Sequence, residues 1–126
     1  MTPEKSGGKK DGRQELGTAG ERMAGRFLRR QGYHILARNY RTPYGEIDLI
    51  AREGRETVFI EVRTRQGTNF GSPVESLTRN KILHWEKAAS CYLQKKNGFD
   101  QPFRFDFVGI DLSGKIPKLS LIKRIL

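Results

Sequence analysis

The chain has 126 residues, with 24 Lys and Arg against 14 Asp and Glu and a formal net charge of +10. That length favours one domain large enough to bury its own core, and a lone cysteine, Cys91, excludes an internal disulfide and suits a reducing compartment. No apolar run reaches the length of about 18 residues that a spanning helix needs, and the first ten residues lack the apolar core of a signal peptide. The expectation is a cytoplasmic protein with no membrane partner. The positive excess attracts polyanions at long range, so nucleic acid is expected ahead of an anionic membrane surface or an acidic protein.

Residues 1–14 are polar and rich in Gly and Lys, with nothing to bury, and are expected to form a disordered basic tail. Residues 15–126 then form the domain. Ala19, Met23, Ala24, Phe27, Leu28 and Gln31 recur at helical spacing, which predicts a helix over 16–31 with Gly32 as its C-terminal stop. Arg22, Arg26, Arg29 and Arg30 line another face of it, while Glu21 sits at the edge of the buried stripe. Three strands are expected next, at 33–40, 46–53 and 57–64. Thr42-Pro43-Tyr44-Gly45 marks the first turn and Gly54-Arg55 a tight hairpin between the second and third. Residues 67–73 read as a loop and 74–96 as a second helix, with Leu77, Trp85, Ala88, Ala89 and Tyr92 on one face. Strands at 103–111 and 119–126 complete an αβββαββ order. The fold class is α/β: one domain with a mixed central sheet flanked by helices.

The hairpin register brings chemistry together. If Glu53 faces Glu56 across the turn, the same register sets Asp48 opposite Glu61 and Glu46 opposite Arg63. Cross-strand partners and i, i+2 neighbours share one face, so the four should form one patch. Facing acids repel unless something neutralises them. Two carboxylates with a backbone carbonyl and waters suit Mg²⁺, and such an ion can activate water and polarise a phosphoryl oxygen. Arg63 could then stabilise charge at phosphorus. A charge ladder, with Glu46 neutralising Arg63 and the acids meeting solvent, is the competing reading.

Glu21, the run Gly45-Glu46-Ile47-Asp48-Leu49-Ile50-Ala51 and Glu61-Val62-Arg63-Thr64-Arg65 together resemble the PD-(D/E)XK nuclease superfamily. From Gly20-Glu21 through Gly32-Tyr33, Arg38-Asn39-Tyr40-Arg41 and Phe70-Gly71-Ser72-Pro73 to Arg104-Phe105-Asp106, the chain more closely resembles the bacterial YraN-like family, which is similar in fold to the Holliday-junction resolvases. The resemblance implies a restriction-endonuclease-like fold with Asp48 and Glu61 as ligands for Mg²⁺ or Mn²⁺ and Glu21 as the helix acid that completes the site. It implies DNA as substrate, branched or damaged, and hints at a homodimer. Arg63 stands where the superfamily usually has lysine. Arginine stays protonated and cannot serve as a base, so metal binding survives this departure better than catalysis. Lys81, aligned with the core-facing stripe of the second helix, is either a snorkelling side chain or the compensating catalytic lysine.

Phosphates would dock on Arg22, Arg26, Arg29, Arg30, Arg65 and the tail. The readings in view are a metal-dependent endonuclease, a nucleic-acid-binding module with an inactive nuclease core, and a scaffold for an acidic protein. His34 and His84 have no partner at metal-ligand spacing, and Cys91 reads as packing. Asp106 could support the site or pair with Arg104 or Arg38. Glu75 reads as a capping charge, and Phe70 and Tyr44 as loop anchors that could stack on unpaired bases.

Overall fold

The computed structural model describes residues 12–66, 73–96, 98 and 100–126. The expected basic tail as far as residue 11, Phe70 with the rest of loop 67–72, and Asn97 lie outside the described residues. Helix α1 (Gly12–Arg30) leads to β1 (His34–Thr42), β2 (Gly45–Glu53) and β3 (Glu56–Arg65). A 3₁₀ turn (Pro73–Ser76), helix α2 (Arg79–Lys96), β4 (Phe103–Asp111) and β5 (Lys118–Ile122) follow. The five strands lie in chain order in one sheet, and only the β3–β4 pair, spanned by α2, is parallel. The expected mixed α/β architecture and element order are what the chain adopts.

Helix α1 starts at Gly12, four residues before the expected Leu16. It ends as Gly32 predicts. That glycine takes φ 98°, the Tyr33 N–H donates to Leu28 O at 3.0 Å and the Gly32 N–H to Arg29 O at 3.1 Å. The two bonds satisfy carbonyls left free at the helix end, and Leu28 and Tyr33 pack together beneath it. The second helix is interrupted, which the periodicity did not indicate. The 3₁₀ turn closes with Leu77 N–H donating to Val74 O at 3.1 Å, and α2 starts afresh after Thr78, whose Oγ1 accepts from Lys81 N at 3.1 Å. A threonine that caps the chain in this way competes with helix continuation. Strand β5 stops at Ile122 rather than Leu126. There Arg124, at φ 55°, donates its N–H to Asp106 Oδ1 at 3.0 Å and Ile125 N–H reaches Phe105 O at 2.8 Å, drawing the tail over β4.

Each face of the sheet carries one helix. Ala24 and Leu28 of α1 close over Leu49, Ala51, Val58, Ile60, Val108 and Ile110. Trp85, Ala88, Ala89, Tyr92 and Leu93 of α2 close over Ile47, Ile50, Phe59 and Phe105. Burying each of these large side chains contributes about 1.5–3 kcal/mol. Aromatic edges meet faces on the α2 side, with Trp85–Phe105 centroids at 5.0 Å and Tyr40–Tyr92 at 5.2 Å.

The β2–β3 hairpin has the expected register, Glu53↔Glu56 to Leu49↔Ile60, turning on Gly54 at φ 61°. The adjoining β1–β2 pair carries an unexpected slip. The register itself shifts between Ile35 and Ala37, and farther along Ile47 and Ile50 both face the α2 core, as do Ala37 and Tyr40 across from them, so the alternation of faces also breaks between those pairs in both strands. That break in alternation falls at Asn39, which holds φ 50° and sits level with Asp48. Asparagine tolerates this left-handed conformation better than most residues.

Candidate active site at the open end of the β2–β3 ladder

The slip at Asn39 and Asp48 positions the acids. The β2–β3 ladder stops at Leu49↔Ile60. Beyond it the Asp48 side chain takes over the role of a ladder carbonyl, accepting from Val62 N–H at 2.8 Å through Oδ2. Asp48 and Glu61 therefore do meet, as the register predicted, but through their carboxyl groups, which hydrogen-bond to each other. From the α1 side Glu21, hydrogen-bonded to Asn39, brings its charge to bear on Asp48.

All three acids resist ionisation. Burial first, then the charge of Asp48, pushes Glu61 up to about 7. Glu21 rises to about 7 for the same two reasons, against the hydrogen bond from Asn39. Burial raises Asp48 as well, against the Val62 N–H and Arg63, which favour its charged form. Carboxyl groups held together out of water are short of positive charge.

Of the nearby cations, Arg63 pairs with Glu61 at 2.7 Å. Glu46 pairs instead with Arg41 at 3.0 Å, so the Glu46–Arg63 neutralisation of the charge-ladder reading is not the pairing that forms. Arg63, Glu61 and Glu46 wall a cleft of about 250 Å³ on the α2 side of the sheet. Lys81, His84 and Trp85 close its other wall, and Tyr44 and Gly45 form its rim. Lys81 is exposed, and its charge favours ionised Glu61. It thus lies beside Trp85 as expected, but at the cleft rather than on buried apolar surface.

Among the described residues, no three His, Cys, Asp or Glu side chains form a ready metal cage. The donors present at the acid pair are carboxylate oxygens backed by main-chain groups, a hard-oxygen set that fits a divalent ion keeping several waters.

The proposed phosphate contacts divide. Arg22, Arg26, Arg29 and Arg30 are exposed along α1, with about 12 Å of helix between the first and last. Arg65 is half-buried and paired with Asp111 of β4 at 3.1 Å, so it belongs to the sheet rather than to that ridge. Asp106 does not reach the acids. It is buried against Arg104, at 3.0 Å, and Tyr33. His34 and Glu75 are exposed away from the acids, Glu75 in the first turn of the 3₁₀ helix, and Cys91 is half-buried on α2. Trp85 joins the core as its stripe predicts and, with Tyr44 and His84, also lines the cleft. Their helical and turn spacing was visible, but their convergence on β3 depends on tertiary packing.

Gly20 sets how closely α1, and with it Glu21, approaches the sheet. A Cβ there would lie 2.4 Å from Thr64 Oγ1 and 3.5 Å from Ile110 Cδ1. Gly20→Ala should therefore destabilise the fold by about 1–3 kcal/mol in urea denaturation. Thr64→Ala in the same chain should recover part of that loss, because it removes the clashing oxygen.

The fold and site together define an α/β protein with a desolvated acid pair at the open end of the β2–β3 ladder, whose Glu61 lines a cleft with Glu46, Arg63 and Lys81. The model of the family described as "Uncharacterised protein family UPF0102" matches residues 20–110. A UPF0102 protein of Dehalococcoides mccartyi is 44% identical over 114 residues, covering 90% of this chain and 94% of the relative. Relatives from Thermotoga neapolitana and Syntrophomonas wolfei are 48% and 47% identical over 96 residues, covering 76% of this chain and 87% and 84% of theirs. The chain belongs to the UPF0102 family, the YraN-like family that its motifs resemble. Among the described residues no helix is long and apolar enough to cross a membrane.

Proposed function

We propose that the protein is a divalent-metal-dependent DNA endonuclease built on the PD-(D/E)XK plan. The observation that carries this reading is the Asp48–Glu61 pair, two carboxyl groups in mutual contact and raised by burial, of which Glu61 lines a cleft shared with Arg63 and Lys81. Asp48 and Glu61 would hold Mg²⁺ or Mn²⁺, with Glu21 as the third acid. When bound, such an ion polarises a phosphoryl oxygen and makes water acidic enough to attack. Arg63, drawn off Glu61, donates to the non-bridging oxygens and stabilises charge that grows at phosphorus. It cannot take a proton, whereas Lys81, on the opposite wall, can orient the attacking water. The exposed arginines of α1 take the flanking phosphates of the strand.

A cleavage assay on labelled duplex, single-stranded, flap and four-way-junction DNA, with and without Mg²⁺ or Mn²⁺, tests this. Wild type should cut only with metal. Glu61→Ala should lose at least about 100-fold, since even partners outside the ligand shell are worth 10–100-fold. The Arg63–Glu61 contact at 2.7 Å favours a second reading, a DNA-binding module whose core is held off by that arginine. On this reading wild type binds in a salt-dependent manner and cuts nothing, while Arg63→Lys cuts. Silence from both chains, with binding intact, rejects the nuclease reading.

A further inference from the structure

The cleft carries more donors than the proposed metal chemistry uses. Trp85 is 5% exposed, and its indole N–H has no acceptor among the described residues. The Nε–H of Arg63, on the facing strand, is buried and equally without an acceptor. A buried donor left unsatisfied costs about 1–3 kcal/mol, and two occur at one cleft. Lys81, four residues before Trp85 on α2 and so on the same helix face, and His84, next to Trp85, also line the cleft.

At the rim the pattern changes from donors to a flat apolar surface. Tyr44 is 45% exposed. Its turn is held at both ends by Thr42 Oγ1, which accepts from Tyr44 N–H at 3.0 Å and donates to Gly45 O at 2.8 Å. Lys87 Nζ lies 5.6 Å from the centroid of its ring. A fixed, exposed aromatic ring beside cations is the arrangement by which proteins stack unpaired bases.

We infer that this cleft is a subsite for one unpaired nucleotide, with the base stacked on Tyr44 and the phosphate held by Arg63 and Lys81. This rests on the nucleic-acid part of the proposed function and adds to it that the substrate carries a single-stranded nucleotide next to the bond cut. A base locked in a pair cannot turn its face to Tyr44 while its phosphate lies in a cleft this small.

Trp85 is the only tryptophan in the chain, so its fluorescence reports occupancy directly. The full-length protein, in EDTA, is titrated with single-stranded oligothymidylate of about six nucleotides, with a duplex of equal length and with oligoglutamate. The single strand should change Trp85 emission saturably and bind more tightly than the duplex. Tyr44→Ala should weaken it by about tenfold or more, Tyr44→Phe should retain it, and duplex affinity should not change in either variant. An unmoved emission, unchanged single-strand affinity in Tyr44→Ala, or an equal response to oligoglutamate overturns the inference. Because no metal is present, a chain that passes this test and cuts nothing loses the nuclease reading alone. Metal-dependent cutting that is indifferent to Tyr44→Ala loses only the subsite.

Discussion

Arg104→Ala should lower the unfolding free energy by about 3–5 kcal/mol, the usual cost of removing one partner from a buried ion pair. Arg104 is 6% exposed and Asp106 wholly buried. Its Nε donates to Asp106 Oδ1 at 3.0 Å and its Nη2 to Tyr33 OH at 3.0 Å, while Tyr33 OH donates to Asp106 Oδ2 at 2.6 Å. Glu53 and Glu56, flanking the Gly54 turn, pair with the same guanidinium, and Lys123 and Arg124 close the group from the C-terminal segment. Burial alone would favour release of the Arg104 proton, but Asp106, Glu53 and Tyr33 hold it more firmly than usual. Without the guanidinium, Asp106 keeps, among the described residues, the Tyr33 hydroxyl and the Arg124 N–H, and Glu53 and Glu56 face each other across the turn. Urea denaturation followed by circular dichroism measures the loss. Replacing Arg104 and Asp106 together with apolar residues should recover much of it, because the buried charge is then gone. Glu56 and Glu61 are five residues apart on β3, about 17 Å, so the Arg104→Ala chain, where folded, should keep the chemistry of the acid pair. A stability loss under 1 kcal/mol would mean that water already screens this network.

The second large effect is one of pH. Glu21 and Glu61 are raised from 4.5 to about 7 and Asp48 also moves upward, so the folded chain binds protons that the unfolded chain has released. The stabilisation these groups give is complete below about pH 4.5, falls as pH rises through about 7, and is absent above it. The metal-free protein should accordingly melt at a higher temperature near pH 5 than near pH 8. Asp48→Asn keeps an oxygen to accept the Val62 N–H and removes the charge that most disturbs Glu61 after burial. It should melt several degrees above wild type near pH 8, on the order of 2 kcal/mol, and lose most of the slope between the two pH values. A wild-type melting temperature that instead rises steadily from pH 5 to 8, with Asp48→Asn following the same curve, would show that the acids are already solvated or neutralised.

The parts of this arrangement that rest on near neighbours were legible in the sequence. The Gly54-Arg55 turn placed Glu53 against Glu56 and, from there, Asp48 near Glu61, because a two-residue hairpin leaves little freedom of register. Gly32 marked the end of α1 for an equally local reason. Other features depend on residues far apart in the chain. Strict alternation along β1 and β2 hid the slip at Asn39, which is what makes Asp48 accessible to Glu21 on one side and Glu61 on the other. The partner of Arg65 comes from β4, through a parallel pairing that no local signal sets, and that of Glu46 comes from Arg41 across the first hairpin. Thr78 interrupted a helix that apolar spacing alone would have continued, and the fresh start of α2 aims Lys81, His84 and Trp85 at β3. The acids of the site were therefore readable, and the walls of its cleft were not.

Whether the acid pair is a divalent-cation site is tested most directly by melting the protein near pH 8 with and without millimolar Mn²⁺, beside Asp48→Asn and Glu61→Gln. Wild type should gain several degrees, following the mass-action stabilisation of a ligand that binds only the folded form, and each variant should gain little or nothing. No shift in wild type, or the same shift in all three chains, would contradict it.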